Sequence, residues 1–131
     1  MTISVFGPIN SGLTTGGAGV STSNFTTNKI AVGEVLAISV KYNGAPPAGT
    51  TDVIIKTVGT SPEMPSQTLL TLTDAATDFL FMPRVLPHDV AGTELAALTI
   101  AEPILIYGYI NVLIQGANDA DSVDVWLVLE Q

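Results

Sequence analysis

The chain has 131 residues, which suits one domain, and its four basic residues stand against twelve acids for a formal net charge of −8. This balance excludes binding to a phosphate backbone or an anionic membrane surface, since both need clustered Lys and Arg, and it favours a basic partner surface. The absence of Cys excludes disulfides, thiolate catalysis, zinc–thiolate sites and iron–sulfur clusters.

The surface is predicted to be unusually apolar. Only 12% of the residues are charged and 47% are hydrophobic, whereas ordinary domains carry about 25% charged residues. Such a composition predicts contact with another protein; the alternative is a β-domain whose exposed strand faces are rich in Thr. Glu102, Pro103 and Asn111 interrupt the most apolar window, and the N-terminus has no basic region. We therefore expect neither a membrane segment nor a signal peptide.

The first 28 residues differ from the rest. Residues 1–6 are compatible with a short strand that ends at Gly7 and Pro8. Residues 10–28 are rich in Ser, Thr and Gly, which predicts a flexible or extended arm, or an outer strand around 20–25. The predicted division is thus an arm over 1–28 and a β-domain over 29–131.

Alternation of apolar and polar residues then predicts strands at 34–43, 51–58 and 68–73, and an apolar run follows at 79–82. In the first of these, Leu36, Ile38, Val40 and Tyr42 are expected on one face. The stretch 93–99 fits either a short helix with Thr93 as N-cap or an irregular edge strand, and the sequence leaves both open.

The last third has the clearest pattern. Two alternating runs, 104–115 and 123–130, flank the polar turn 116–121, which predicts an antiparallel hairpin over 104–130. With about eight short strands and no long helix, the chain is predicted to be all-β: a single antiparallel β-sandwich or jelly-roll domain with a Ser/Thr/Gly-rich N-terminal arm.

The second face of this hairpin is too apolar for water. Large apolar side chains occupy the parity opposite the Ile/Val stripe: Leu105, Tyr107, Tyr109, Leu113, Trp126 and Val128. These residues predict a protein interface; cover by another part of the chain and a sugar-stacking platform are the alternatives.

No catalytic constellation is present in the sequence. His88 is the single histidine, it lies between Pro87 and Asp89, and no nucleophile pattern accompanies it. Asp119 and Asp121 are weak metal candidates, but the segment lacks the Gly and closing Glu of an EF-hand loop, and Asn and Asp are favoured in turns for their own hydrogen bonds. We expect no enzyme activity, no metal and no cofactor.

Three segments carry a resemblance to a known group of proteins. Phe81–Gly92, followed by Glu102–Gly108 and the closing Asp121–Glu130, resembles small tailed-phage head proteins, several of which are capsid decoration (cement) proteins. The resemblance covers residues 79–131 and has structural motifs only. Arg84, inside the first motif, is a further interface candidate.

The resemblance implies a structural virion protein on the capsid surface of a bacteriophage, made in the host cytoplasm. It would bind the major capsid protein, stabilise the assembled shell and form a homo-oligomer, with a trimer favoured. The alternative function is a carbohydrate-binding β-sandwich module of a phage fibre or baseplate.

Overall fold

The computed structural model describes residues 2–43, 48–59, 65–75, 77–95 and 101–131, and these form seven strands. Their bounds are β1 Ile3–Asn10, β2 Ser21–Tyr42, β3 Asp52–Val58, β4 Thr68–Leu72, β5 Phe79–Phe81, β6 Ile104–Ala117 and β7 Val123–Glu130. Every pairing between them is antiparallel. The all-β antiparallel class is therefore confirmed. None of the described segments is a helix of the length and apolarity that crossing a membrane requires.

The strand β2 is shared by two groups of strands. Its residues 21–35 pair with β6, which continues to β3 and β4. Its residues 34–42 pair with β7, which continues to β1, and β5 pairs along residues 38–40. The order is β1-β7-β2-β6-β3-β4 with β5 beside β2.

Both ends of β2 lie at the same end of the molecule. The Ser23 hydroxyl donates to the Ser11 carbonyl, 2.5 Å away, and the Ser11 backbone N–H donates to the Val123 carbonyl at 3.0 Å. Val123 is in turn the strand partner of Tyr42, the last residue of β2. The strand therefore runs away from this end, bends and returns.

The bend lies where β2 changes partners. Gly33 has a φ of +134°, a conformation that favours Gly over residues with a side chain. A bulge follows between Val35 and Ala37, so Leu36 falls out of the alternation and is only half-buried. The prediction that Leu36 shares the face of Ile38 is therefore wrong, because a bulge shifts the parity by one residue.

The two groups share one core. Ile38, Val125 and Leu127 from one group and Val53, Ile110 and Val112 from the other have no exposed surface or almost none, and they belong to a single cluster. The inward faces of both groups therefore contribute to one common core. The strand predicted at 51–58 is present as β3, and its alternation buries Val53, Ile55 and Thr57.

The predicted hairpin over 104–130 is wrong in its pairing. The strands β6 and β7 lie where the alternation placed them, but β2 lies between them in the strand order. Alternation defines which face of a strand is buried and carries no information about which strand is its neighbour.

The predicted N-terminal unit is also corrected. The division between 28 and 29 falls inside β2, since the predicted strands at 20–25 and 34–43 are parts of one strand of 22 residues. This merger leaves seven strands where about eight were predicted. Residues 93–95 are not helical, and residues 96–99 of the ambiguous stretch lie outside the described residues.

Residues 11–20 are held by the turn between β6 and β7. Thr14 is buried, its hydroxyl donates to the Asn118 carbonyl at 2.6 Å, and it accepts the Asp121 N–H at 2.9 Å. The Ser11 hydroxyl accepts the Val123 N–H at 3.0 Å. The polar arm therefore packs against the domain through hydrogen bonds, with few apolar contacts.

Candidate interaction surfaces

One apolar surface lies on the outer side of β6 and the first half of β2, and we call it the β6 patch. Its exposed members are Ile30, Val32, Leu105 and Tyr107, with exposed fractions of 38%, 41%, 68% and 45%. The strand register places Ile30 beside Tyr109 and Val32 beside Tyr107. The side chains therefore form a continuous apolar area across two strands.

Tyr109 and Leu113 extend this area while remaining half-buried. On the far side of β6, Val58 lies beside Tyr109 and Ile54 lies beside Leu113. The four candidates predicted on β6 thus share one face, and the structure adds Ile30 and Val32 from β2. Both were missed because they lie in a stretch of β2 that was not identified as a strand.

A second apolar surface, the β7 patch, lies on the outer side of the other group. Val5 lies beside Val128, and Ser39 lies between Trp126 and Leu80. Ile3, Val5 and Leu80 are exposed, whereas Trp126 and Val128 are half-buried. The predicted set of six is therefore divided between two surfaces on the two sides of the core.

Arg84 has a local structural role. Its guanidinium donates to the carbonyl of Leu36 at 3.1 Å and to that of Pro83 at 2.8 Å. Leu36 is the bulge residue of β2, whose carbonyl is thereby provided with a donor.

On the outer side of β6, a polar position separates Tyr109 from Leu113. Asn111 is only 5% exposed, and its side-chain amide contacts Asn24 Oδ1 at 2.6 Å, Thr26 Oγ1 at 2.9 Å and the Phe25 carbonyl at 3.2 Å. This network ties β6 to β2 through side chains. No sequence signal marked Asn111 beyond its position in an apolar strand.

Charged side chains border the β6 patch: the exposed Lys29 precedes Ile30, and Glu130 lies beside Glu34 on the β7 side. Glu34 lies beside Leu105 on the β2 side, and Lys56 lies beside Asn111 on the β3 side. Glu34 is exposed and Lys56 is half-buried. The positions from Leu105 to Asn111 span about 20 Å along the strand.

His88 lies in an exposed loop. Its neighbour Asp89 accepts the backbone N–H groups of Ala91 and Thr93 through Oδ1, each at 2.9 Å. The carboxylate therefore stabilises the turn of its own loop. His88 lies next to this turn.

The weak metal candidates also lie in a turn. Asp121 accepts the backbone N–H of Asn118 at 3.1 Å through its carboxylate, and Asp119 is exposed. Within the described ranges, no three His, Cys, Asp or Glu side chains lie close enough together to hold a metal ion. The arrangement is that of a polar turn, with Ala120 at a φ of +60°.

A cavity of about 700 Å³ opens between β1 and the first half of β2. Phe6 and Phe25 line it together with Asn10, Asn28 and Lys29. Phe25 lies in register with the buried Val112 yet is 41% exposed. Phe25 therefore belongs to the solvent-facing wall of the cavity and not to the closed core.

Comparisons with models of protein families, with curated proteins and with solved structures find no match to this chain. The resemblance to phage head proteins therefore rests on the three quoted segments alone.

Proposed function

We propose that this protein is a structural virion protein of a bacteriophage, a capsid decoration (cement) protein that binds the major capsid protein on the outside of the assembled shell. The observation that carries the proposal is the pair of exposed apolar patches on the two sides of one core. Exposed apolar areas of this kind mark contacts with other proteins.

Two separate patches suit a cement protein because it contacts two neighbours at once. One patch serves for a second copy of the chain and the other for the shell. Binding only to the assembled shell stabilises that shell by mass action. The charge of −8 supports a protein partner, since it disfavours the nucleic acid inside the particle.

The proposal is tested with particles that lack the protein. Purified protein is added to them, the particles are sedimented, and their thermal disruption is followed. We expect saturable binding, density on the outer shell by electron microscopy, and a higher disruption temperature. Protein that leaves the particles unbound and unchanged would contradict the proposal.

The β7 patch is the surface we assign to the shell. The double variant Val5→Ser, Leu80→Ser should lose particle binding because it removes two exposed apolar side chains of that patch. The matched control is Leu13→Ser, Val90→Ser, which removes two exposed apolar side chains elsewhere. Equal loss in both variants would show that the contact is nonspecific.

A second candidate function, carbohydrate binding in a fibre or baseplate, is supported by the cavity between β1 and β2. Phe6 and Phe25 offer ring faces, and Asn10 and Asn28 offer amides, the two kinds of group that hold a sugar. Glycan-array binding that is lost in Phe25→Ala and kept in Tyr107→Ala would favour this function. Absence of binding to any glycan would exclude it.

A further inference from the structure

We infer that the β6 patch binds the β6 patch of a second copy through a two-fold axis that crosses β6 near Gly108. This deepens the self-association in the proposed function and rests on it. A two-fold contact pairs a surface with itself, so the surface must be complementary to its own rotated copy. The shape and the charges of the β6 patch meet that condition.

The apolar part of the patch is centred on β6. Tyr107 and Tyr109 flank Gly108, and their strand neighbours Val32 and Ile30 extend the apolar area onto β2. Val58 extends it onto β3 beside Tyr109. Rotation about an axis at Gly108 that lies in the plane of the contact therefore places apolar side chains on apolar side chains.

The charged corners lie on opposite sides of that centre. Glu34 is one strand from β6 at the level of Leu105, and Lys56 is one strand from β6 on the other side at the level of Asn111. Gly108 is midway between Leu105 and Asn111. When the axis is also perpendicular to the line from Glu34 to Lys56, the rotation exchanges the two corners and brings Glu34 of each copy to Lys56 of the other.

The choice of a second copy follows from this charge arrangement. The chain has twelve acidic residues. A patch that served only a basic partner would be expected to have acidic residues at its charged positions. Instead, the corner diagonally opposite Glu34 carries Lys56, one of only four basic residues in the chain. Two opposite charges at exchanged corners fix both the register and the orientation of a symmetric contact.

The contact predicts a dimer, which differs from the trimer that the resemblance implies. The oligomeric state of the full 131-residue protein is measured by sedimentation equilibrium. We expect a monomer–dimer equilibrium. A protein that is monomeric at all concentrations, or trimeric, would overturn the inference, and a monomer would leave the patch to a different partner protein.

Charge reversal tests the register directly. Glu34→Lys and Lys56→Glu should each raise the dimer dissociation constant about tenfold or more, because each places like charges together at both corners. The double variant Glu34→Lys, Lys56→Glu should return the constant to within about threefold of the wild-type value, since the exchanged pair is attractive again. Only a folded protein can dimerise, so rescue in the double variant would show that the register is correct even if one of the single variants misfolds.

Two control variants match these charge changes away from the patch. Asp119→Lys and Lys41→Glu alter exposed residues in the 118–121 turn and in the second half of β2. Both should dimerise like the wild type. Dimerisation that is lost equally in these controls, or that persists in the two single variants, would overturn the inference.

Particle binding separates this inference from the proposed function. A Glu34→Lys variant that no longer dimerises should still bind particles through its β7 patch, with lower occupancy. If neither the wild type nor the variant binds particles while the wild type dimerises, the proposed function fails and the two-fold contact stands.

Discussion

The carbonyl oxygen of Glu130 lies 2.6 Å from the position that a Cβ atom would occupy on Gly33. This approach occurs where β2 passes from β6 to β7, and Gly33 has a φ of +134° there. The end of β7 therefore closes directly onto the bend of β2, and only a residue without a side chain leaves room for it.

Gly33→Ala should lower the free energy of unfolding by about 3 kcal/mol, because the added methyl group meets backbone and the conformation is strained. Urea denaturation measures the change. The matched control is Gly49→Ala, where an added Cβ meets nothing within 4 Å, and its stability should be unchanged. Similar values for the two variants would show that the bend adjusts without cost.

Asn111→Asp should destabilise the protein by about 3 kcal/mol at neutral pH, because a carboxylate would face the oxygens of Asn24, Thr26 and Phe25 that now accept from the amide. The penalty should shrink as the pH falls towards about 4, where the carboxyl becomes protonated and can donate again. Unfolding curves at several pH values measure it against the wild type. Asn28→Asp, an exposed site with the same charge change, should show neither effect.

Thr14→Val should lower the free energy of unfolding by about 2 kcal/mol. It removes a buried hydroxyl that donates to Asn118 and accepts from Asp121, while the side chain keeps its shape. Hydrogen exchange should also show faster exchange of the Asp121 amide. The neighbouring exposed Thr15→Val provides the control. An unchanged Asp121 amide would mean that the arm is not held through Thr14.

Burial, followed by the nearby charge of Asp78, raises the pKa of Tyr42 above its ordinary value of 10.0. The folded state thus keeps the phenol proton at pH values where the unfolded state loses it, so Tyr42 should reduce stability progressively as the pH rises above about 10. Tyr42→Phe should lower the free energy of unfolding by about 1 kcal/mol at neutral pH, because it removes the hydroxyl that donates to the Ala75 carbonyl. The deficit relative to the wild type should narrow above pH 10, as denaturation at each pH will show. The control is Tyr107→Phe, which removes a hydroxyl from a half-exposed ring and should leave the free energy of unfolding at neutral pH unchanged.

The parts of the fold that the sequence predicts are those encoded by local alternation. In β7 and in residues 104–110 of β6, every second residue enters the core, which produces a period of two. Their partners are non-local: β2 comes between them from about 80 residues earlier in the chain. A polar turn between two alternating runs is therefore not sufficient evidence for a hairpin.

The first half of β2 could be predicted only in part, as an outer strand around 20–25, for a physical reason. Residues such as Thr22 and Thr26 are polar on the outer face, and the inward positions hold Ser21 and the small Ala31 beside an exposed Phe25. Backbone pairing with β6 makes this stretch a strand although it lacks an apolar stripe. The sequence therefore predicted the β6 patch from β6 alone. It also placed Trp126 on the same surface, whereas Trp126 lies in the β7 patch.

The continuity of β2 has a mechanical consequence. Ile30 and Val32 lie in the β6 patch, while Ser39, on the same strand, lies beside Trp126 in the β7 patch. The segment of residues 30–39 is therefore a short covalent path from one patch to the other, and it crosses the bend at Gly33. Neighbours attached to the two patches would thus be joined through a single strand of this protein.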